Sequence, residues 1–310
     1  MTGVNGLVGS HTANQFLAYG FRVRGTVRNA ETNVWLSEHF EKKYGAGKFE
    51  LVKVPALDKE GCLDDAVKGS ILPSDEKLKT ALTTAGCDGI AHTASPVGML
   101  PDPNEVIPAA VNTTLRALEA AAATPSVKRF IYTSSSVTTG PQGAKSSDVK
   151  IRPESWYDSS IFEAAWAPGP YGLDRIFPTY IASKVSAEKE VWKFVAEHKP
   201  HFIANSVLPD FVTGAPVAPE QGITSSLMLL QMLITNTFGW QMVGANYMID
   251  AGDIGRLHVA AMIKGDVQNE RVFGYAHQRT WNDWLAQLRK LYPEKSCTCR
   301  RLFGKTRLLF

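Results

Sequence analysis

Tyr180 and Lys184 stand four residues apart in Tyr180-Ile181-Ala182-Ser183-Lys184, so on a helix they share one face, a single turn apart. A neutral phenol, with a pKa near ~10, exchanges protons poorly at neutral pH, and a nearby ammonium stabilises the phenolate and brings it into range. The pair makes a usable proton donor and acceptor. Spacing alone does not select it, because Tyr44 and Lys48 match it too. Tyr44, however, runs into the turn Gly45-Ala46-Gly47 and begins no amphipathic helix, so it is set aside. What distinguishes Tyr180 and Lys184 is the serine run Ser134-Ser135-Ser136, directly after the apolar stretch Phe130-Ile131-Tyr132-Thr133. In a parallel sheet, hydroxyls beyond the carboxyl end of a strand face the ligand crevice, where a serine can hydrogen-bond a substrate carbonyl oxygen. A polar turn explains such a run equally well on its own; the company of Tyr180 and Lys184 favours chemistry.

A second candidate site lies at Thr2-Gly3-Val4-Asn5-Gly6-Leu7-Val8-Gly9, where glycines recur every three residues just before a helical pattern. Such a loop lets backbone approach a pyrophosphate, presents amide N–H groups and the positive end of a helix dipole to it, and lets helix pack closely on strand. Gly3, Asn5, Gly6, Leu7, Val8 and Gly9 are therefore the expected dinucleotide cradle. The next strand ends at Arg28, where an Asp or Glu would accept the adenosine ribose hydroxyls and repel a 2′-phosphate. A guanidinium there can pair bidentately with that phosphate and stack on adenine, which reads as NADP(H). The alternative is a solvated arginine, since Arg22, Arg24 and Arg28 alternate along the strand.

Holding these groups in place takes a particular scaffold. Strand-like segments at Phe21 to Val27, Phe49 to Val54, Gly89 to Thr93, Phe130 to Ser134 and Ile203 to Leu208 alternate with helical patterns at Val8 to Tyr19, Ile107 to Ala123 and Tyr180 to His198. The alternation predicts an α/β fold, a doubly wound parallel sheet of the Rossmann type. From Gln142 to Pro178 the chain turns irregular, and after Pro209 helices and loops no longer alternate cleanly with strands. The expected organisation is a cofactor-binding domain over residues 1–208, with 142–178 contributing to a smaller substrate lobe that takes in 209–310. A glycine loop of this kind is fed by a central strand of about five residues. Only Met1 and Thr2 precede Gly3, so the first strand reads as truncated and an open slot in the sheet is expected.

Composition narrows the function classes. The 310 residues, 44% of them hydrophobic, suffice for one large domain or a domain with a small lobe. A net charge of +3, with the basic residues scattered, argues against nucleic-acid or polybasic membrane binding. The longest apolar patch, Leu227 to Ile234, falls far short of the roughly 20 residues of a membrane span. Cys62, Cys87, Cys297 and Cys299 are too few and too irregular for a disulfide framework, and Cys297 and Cys299 lack the second ligand pair of a zinc site. The expectation is a cytoplasmic protein without a metal.

Longer segments carry a resemblance: TGVNGLVGSH at Thr2 to His11, RGTVRNA at Arg24 to Ala30, CDGIAHTASPV at Cys87 to Val97, ATPSVKRFIYTSSSV at Ala123 to Val137, YIASK at Tyr180 to Lys184, KPHFIANSVLPDFVTG at Lys199 to Gly214 and DIGRLHVAA at Asp253 to Ala261. Together they resemble the extended short-chain dehydrogenases, in the branch of NADPH-dependent aldehyde and ketone reductases related to dihydroflavonol and cinnamoyl-CoA reductases. The resemblance implies that Tyr180 protonates a carbonyl oxygen as hydride arrives, Lys184 holds the nicotinamide ribose and tunes Tyr180, and Ser135 orients the carbonyl. It also implies that Ala94 and Ser95 line the cofactor cleft and that Pro209, Phe211 and Val212 sit against the nicotinamide. The substrate would be a small carbonyl compound, with Trp156, Trp166 and Tyr171 as lining or lobe core.

The chain departs from the branch in places. Ala56 stands where an Asp usually lies beside adenine, and Glu31, Thr32 and Trp35 stand where a second basic residue often follows the arginine. Ser70 to Gly86 interrupts a run that otherwise continues from Val67-Lys68-Gly69 into Cys87-Asp88-Gly89, and reads either as a surface insertion or as retained intron sequence. Past Lys295, SCTCRRLFGKTRLLF abandons the pattern. Two other functions use the same frame. An NAD-dependent sugar-nucleotide epimerase or dehydratase shares the Ser, Tyr and Lys set, but Arg28 weighs against it; a non-catalytic NADP-sensing regulator typically lacks the Tyr/Lys pair present here.

Overall fold

The computed structural model describes residues 1–68, 86–95, 100–140, 150–235, 237 and 246–293, so the 70–86 segment apart from Gly86, and the tail with Cys297 and Cys299, lie outside the described residues. The strands are β1 (Val23–Val27), β2 (Phe49–Lys53), β3 (Gly89–His92), β4 (Arg129–Thr133), β5 (Ile203–Pro209), β6 (Phe211–Thr213), β7 (Asn246–Asp250), β8 (Arg271–Gly274) and β9 (His277–Arg279). The helices are α1 (Leu7–Ala18), α2 (Val34–Tyr44), α3 (Asp64–Lys68), α4 (Pro103–Ala122), α5 (Ser160–Trp166), α6 (Ile176–His198), α7 (Ser226–Thr235), α8 (Ala251–Ile263) and α9 (Trp281–Leu291).

The doubly wound sheet is present. β3, β4, β5 and β8 run parallel in that order, and β1 pairs in parallel with β2. Successive side chains of a strand point to opposite faces, and here each face has its own helical layer. Phe130 and Tyr132 of β4 join Leu118, Ala121, Ala187 and Val191 of α4 and α6, whereas Ile131 between them joins Leu7, Ile254 and Ala261 of α1 and α8. Two elements from beyond Pro209, α8 and β8, thus return to the large layer, while β6, β7 and β9 make a smaller sheet whose core is Phe211, Leu233, Met248, Trp281 and Leu285.

The two parts of the large sheet meet at Thr2, which bridges Thr26 on one side and His92 on the other. Thr2 N donates to Ala91 O at 3.1 Å and Thr26 N to Met1 O at 2.8 Å, so Met1 and Thr2 occupy the carboxyl end of the central position. Below them a cavity runs between β1 and β3, lined by Arg24, Leu63, Ala66, Val67, Cys87 and Ile90. Arg24 is not on an exposed strand face, as its alternation with Arg22 and Arg28 suggested. Its guanidinium turns inward, donating to Glu50 Oε2 at 2.6 Å and to Ala66 O at 2.8 Å.

Helix boundaries follow their caps. α4 begins four residues earlier than its periodicity suggests, because Asp102 accepts from Asn104 N at 2.8 Å and Pro103 occupies the first helical position. α6 also starts four residues early, at Ile176, but without a side-chain cap; Pro178 lies in its first turn, where no intrahelical N–H is needed. The irregular stretch before it contains α5.

α1 and α8 cross closely enough that a Cβ on Gly255 would lie 2.7 Å from His11 O. Gly255→Ala must push α8 off α1 and should cost about 1–3 kcal/mol. Its urea midpoint is expected to drop at unchanged m; a wild-type midpoint would show that the crossing yields freely.

Candidate active site

β4 ends at Thr133, and Ser134 N extends its pairing by donating to Val207 O at 2.8 Å. Ser135 follows in extended conformation and caps the short turn Ser136–Thr139, its hydroxyl accepting from Val137 N at 3.5 Å. Tyr180 lies in the second turn of α6, and its phenol meets the Ser135 hydroxyl. One turn on, Lys184 is buried; its Nζ donates to Thr133 O at 3.0 Å and lies 5.4 Å from the centre of the Tyr132 ring. Ser135, Tyr180 and Lys184, far apart in sequence, thus converge at one strand end. Tyr44 is structural: it closes α2, and its hydroxyl donates to Asn14 O at 3.0 Å and to Asn14 Oδ1 at 2.8 Å.

Burial controls the electrostatics. It pushes the Tyr180 phenol above its ordinary value, with the Ser135 hydroxyl pulling the other way and the Asp210 carboxylate adding to the rise. Burial pushes Lys184 down to about 8, opposed by the Glu188 carboxylate. Burial outweighs the Ser135 hydroxyl, so the phenol is held protonated, while the Lys184 ammonium is engaged with the Thr133 carbonyl.

The glycine loop is built as a cradle. Gly3 has φ 64°, and a Cβ there would come within 2.7 Å of Ala94 Cα; one on Gly9 would come within 2.2 Å of Gly3 O. Both glycines are needed for close backbone approach. Gly6 caps α1 with no side-chain hydrogen bond, and the nearest atom to its missing Cβ is Gly3 O at 3.5 Å, so space remains above the first amides of Leu7 and Val8. This geometry fits a pyrophosphate. Thr93 Oγ1 donates to Thr2 O at 2.6 Å and Ala94 N to Thr2 Oγ1 at 3.2 Å, which sets Ala94 against the loop, with half-buried Ser95 next along the chain. Gln221 clamps the other side, its Nε2 donating to Asn5 O at 3.1 Å and to Ser10 Oγ at 2.8 Å.

Arg28 is exposed one residue beyond β1, without an ion pair among the described residues. Pro209 ends β5 and is buried, and Val212 packs with Leu7. The Phe211 ring turns into the core of the smaller sheet, 5.6 Å from Trp281, so it can offer the cleft only backbone. Trp156 lies under the Arg271 guanidinium at 3.9 Å, Trp166 is largely exposed, and the Tyr171 hydroxyl accepts from Asn104 Nδ2 at 3.2 Å. No group of His, Cys, Asp or Glu among the described residues is arranged to hold a metal, and no described helix is long and apolar enough to cross a membrane.

Three groups beside the site escaped the sequence reading. Glu188, wholly buried two turns after Tyr180, forms an ion pair with Arg271 at 2.9 Å. Its signal was present, since Tyr180, Lys184 and Glu188 repeat at helical spacing; Arg271 had none. Asp210 accepts from Ser136 Oγ at 2.9 Å and from Tyr247 N at 2.7 Å, and burial pushes it up to about 6. His258 Nδ1 donates to Ile254 O, leaving Nε2 to accept from Thr133 Oγ1 at 2.7 Å; burial pushes this imidazole down to about 4.

The chain is similar to known proteins in sequence and in fold. A profile of the NAD-dependent epimerase/dehydratase family matches residues 1–172. The chain is 35% identical over 319 residues to an NAD-dependent epimerase/dehydratase of Aspergillus terreus, covering 99% of this chain and 88% of the relative. It is 36% identical over 298 residues to aldehyde reductase 2 of Sporidiobolus salmonicolor, covering 96% and 81%. Among solved structures, a reductase engineered to attenuate substrate inhibition in asymmetric catalysis superposes with a TM-score of 0.76 at 25% identity, covering 94% of this chain and 83% of that one.

Removing the Glu188 carboxylate leaves a buried guanidinium without a counter-charge. Glu188→Ala is expected to lose about 3–5 kcal/mol in chemical denaturation, whereas a loss of only a few tenths would mean that water reaches Arg271.

Proposed function

From the premise that this chain belongs to the NAD-dependent epimerase/dehydratase family, we propose that it reduces an aldehyde or ketone to an alcohol with NADPH. The observation that carries this reading is the convergence of Ser135, Tyr180 and Lys184 at the carboxyl end of β4, in a chain similar to an aldehyde reductase over nearly its whole length.

The residues divide the work by geometry. Gly3, Gly6 and Gly9 let the loop and the first amides of α1 hold the pyrophosphate. Arg28 takes the 2′-phosphate as a bidentate partner, and this cation weighs against the epimerase reading with NAD. Ala94, Ser95, Pro209 and the backbone at Phe211 and Val212 border the cleft. NADPH, when bound, supplies the hydride. Ser135 then donates a hydrogen bond that orients the carbonyl oxygen, and Tyr180 delivers its phenolic proton to that oxygen as negative charge develops there. Lys184 keeps one N–H on Thr133 O, which fixes the ammonium beneath the site and leaves its other donors for the nicotinamide ribose. The smaller lobe, from residues 142–178 and 209 onward, supplies the substrate pocket, and the sparse, irregular cysteines suit a cytoplasmic setting.

The direct test is a panel of aldehydes, ketones and β-keto esters with NADPH and with NADH; no consumption of either reductant would refute the reading. Tyr180→Phe removes the transferable proton and keeps the ring, so NADPH binding should persist while kcat falls by two or more decades, roughly the worth of a general acid. A tenth of the activity remaining would remove Tyr180 from its role. Arg28→Asp should weaken NADPH binding by about one to two decades, or roughly 1.5–3 kcal/mol, and shift preference toward NADH; an unchanged ratio would make Arg28 a bystander.

Reduction needs Tyr180 protonated and Lys184 charged. With Tyr180 raised by burial and Lys184 pushed down to about 8, rising pH discharges the lysine first. The rate of reduction should therefore hold below about pH 8 and fall above it; a profile flat up to the ordinary tyrosine range, about 10, would show that Lys184 stays charged in the working enzyme.

A further inference from the structure

Ser135 sits between two residues that share one anchor. Ser134 Oγ and Thr138 Oγ1 donate to Glu188 Oε2 at 2.6 and 2.9 Å, which pins the serine turn on both sides of Ser135. The second carboxylate oxygen accepts from Ser206 Oγ of β5 at 2.7 Å and from Arg271 Nε of β8 at 2.9 Å. Arg271 reaches further, donating through Nη2 to Thr138 Oγ1 at 2.8 Å and through Nη1 to Pro153 O at 2.8 Å and Ser155 O at 2.5 Å, with its plane over Trp156. One carboxylate therefore joins the serine turn, the helix that carries Tyr180 and Lys184, two strands and the 153–156 loop.

Stability alone does not explain such a pair. A buried ion pair is often replaced by well-packed apolar residues at no loss of stability, because desolvation offsets the attraction. What apolar residues cannot supply is a pair of acceptors for the hydroxyls flanking Ser135, or a negative charge one turn from Lys184 on the same helix face. Of the other groups around that ammonium, His92 of β3 is buried and neutral, Tyr132 of β4 and Tyr180 of α6 are phenols held protonated by burial, and the Arg271 cation lies on the far side of Glu188. Glu188 is the carboxylate that acts on Lys184.

We propose that Glu188, braced by Arg271, is a positioning residue for carbonyl reduction: it sets Ser135 opposite Tyr180, holds Lys184 in its cationic form, and ties that geometry to the 153–156 loop. The proposal rests on the reductase reading above.

The test compares the wild type with Glu188→Gln/Arg271→Gln, which removes both charges and so leaves neither buried alone, and with Ser134→Ala, which keeps both charges and cuts one tie to the serine turn. Three readouts are taken: kcat and KM with NADPH and the best aldehyde of the panel, the pH profile, and the titration of Lys184 followed by NMR of 13Cε-labelled lysine. The double variant should retain a near-wild-type KM at pH values below the alkaline limb. Its kcat should drop about a hundredfold, the scale of a misplaced reacting group, and both the limb and the Lys184 titration should move to lower pH. Ser134→Ala should lower kcat about tenfold with the Lys184 titration unmoved. A folded double variant with wild-type kcat and an unmoved Lys184 titration overturns the proposal; if the double variant fails to fold, wild-type kcat in Ser134→Ala overturns it instead. If the wild type reduces no carbonyl, the reductase reading fails, while the Lys184 titration, which needs no substrate, still decides whether Glu188 governs the lysine.

Discussion

A single hydrogen bond, from the Lys184 ammonium to the Thr133 carbonyl, sets the register between the helix that carries Tyr180 and the strand that leads into Ser135. A buried ammonium must find acceptors or lose its charge, and Thr133 O is the last carbonyl of β4, the one that faces α6 where the sheet ends. Once that contact is made, Tyr180, a turn earlier, reaches Ser135, two residues later. The same carbonyl residue is held from the opposite face, where His258 accepts its hydroxyl. The strand end is thus gripped from both helical layers, and the site inherits the rigidity of the sheet.

Close backbone approach does the corresponding work on the cofactor side. Gly3 and Gly9 have no room for side chains, because Ala94 and the loop's own carbonyl fill the space. Thr2 serves two ends at once: its backbone bridges β1 and β3, and its hydroxyl accepts from Ala94 N. The loop that fits a pyrophosphate and the joint between the two parts of the sheet are therefore one feature. Gln221, from the chain beyond β6, completes the cradle by tying Asn5 to the segment between β6 and α7.

Much of the candidate site was legible because it rests on local rules. Tyr180 and Lys184 are one helical turn apart in any helix, a glycine triplet before a helix has few uses, and β-branched runs alternating with helical periods allow few folds besides a parallel sheet. The boundaries were less legible where a cap decided them: Asp102 and Pro103 start α4 a turn before its apolar stripe becomes regular. Phe211 was placed at the cleft by its position in a motif, yet its ring found better burial against Trp281.

Charges were the hardest to read. Arg24 looked like one of a solvated series and instead turns into the sheet, because Glu50 and the Ala66 carbonyl meet it there. Glu188 sits on the readable face of its helix, but its partner Arg271 lies 83 residues away, and Thr133 and His258 are 125 apart. The sequence by itself determined the helical face, the cradle and the winding of the sheet, since these follow from periodicity and from the steric freedom of glycine. Only the tertiary structure decided which buried charge meets which, because the cost of burying an ion depends on the partner that a distant part of the chain brings to it.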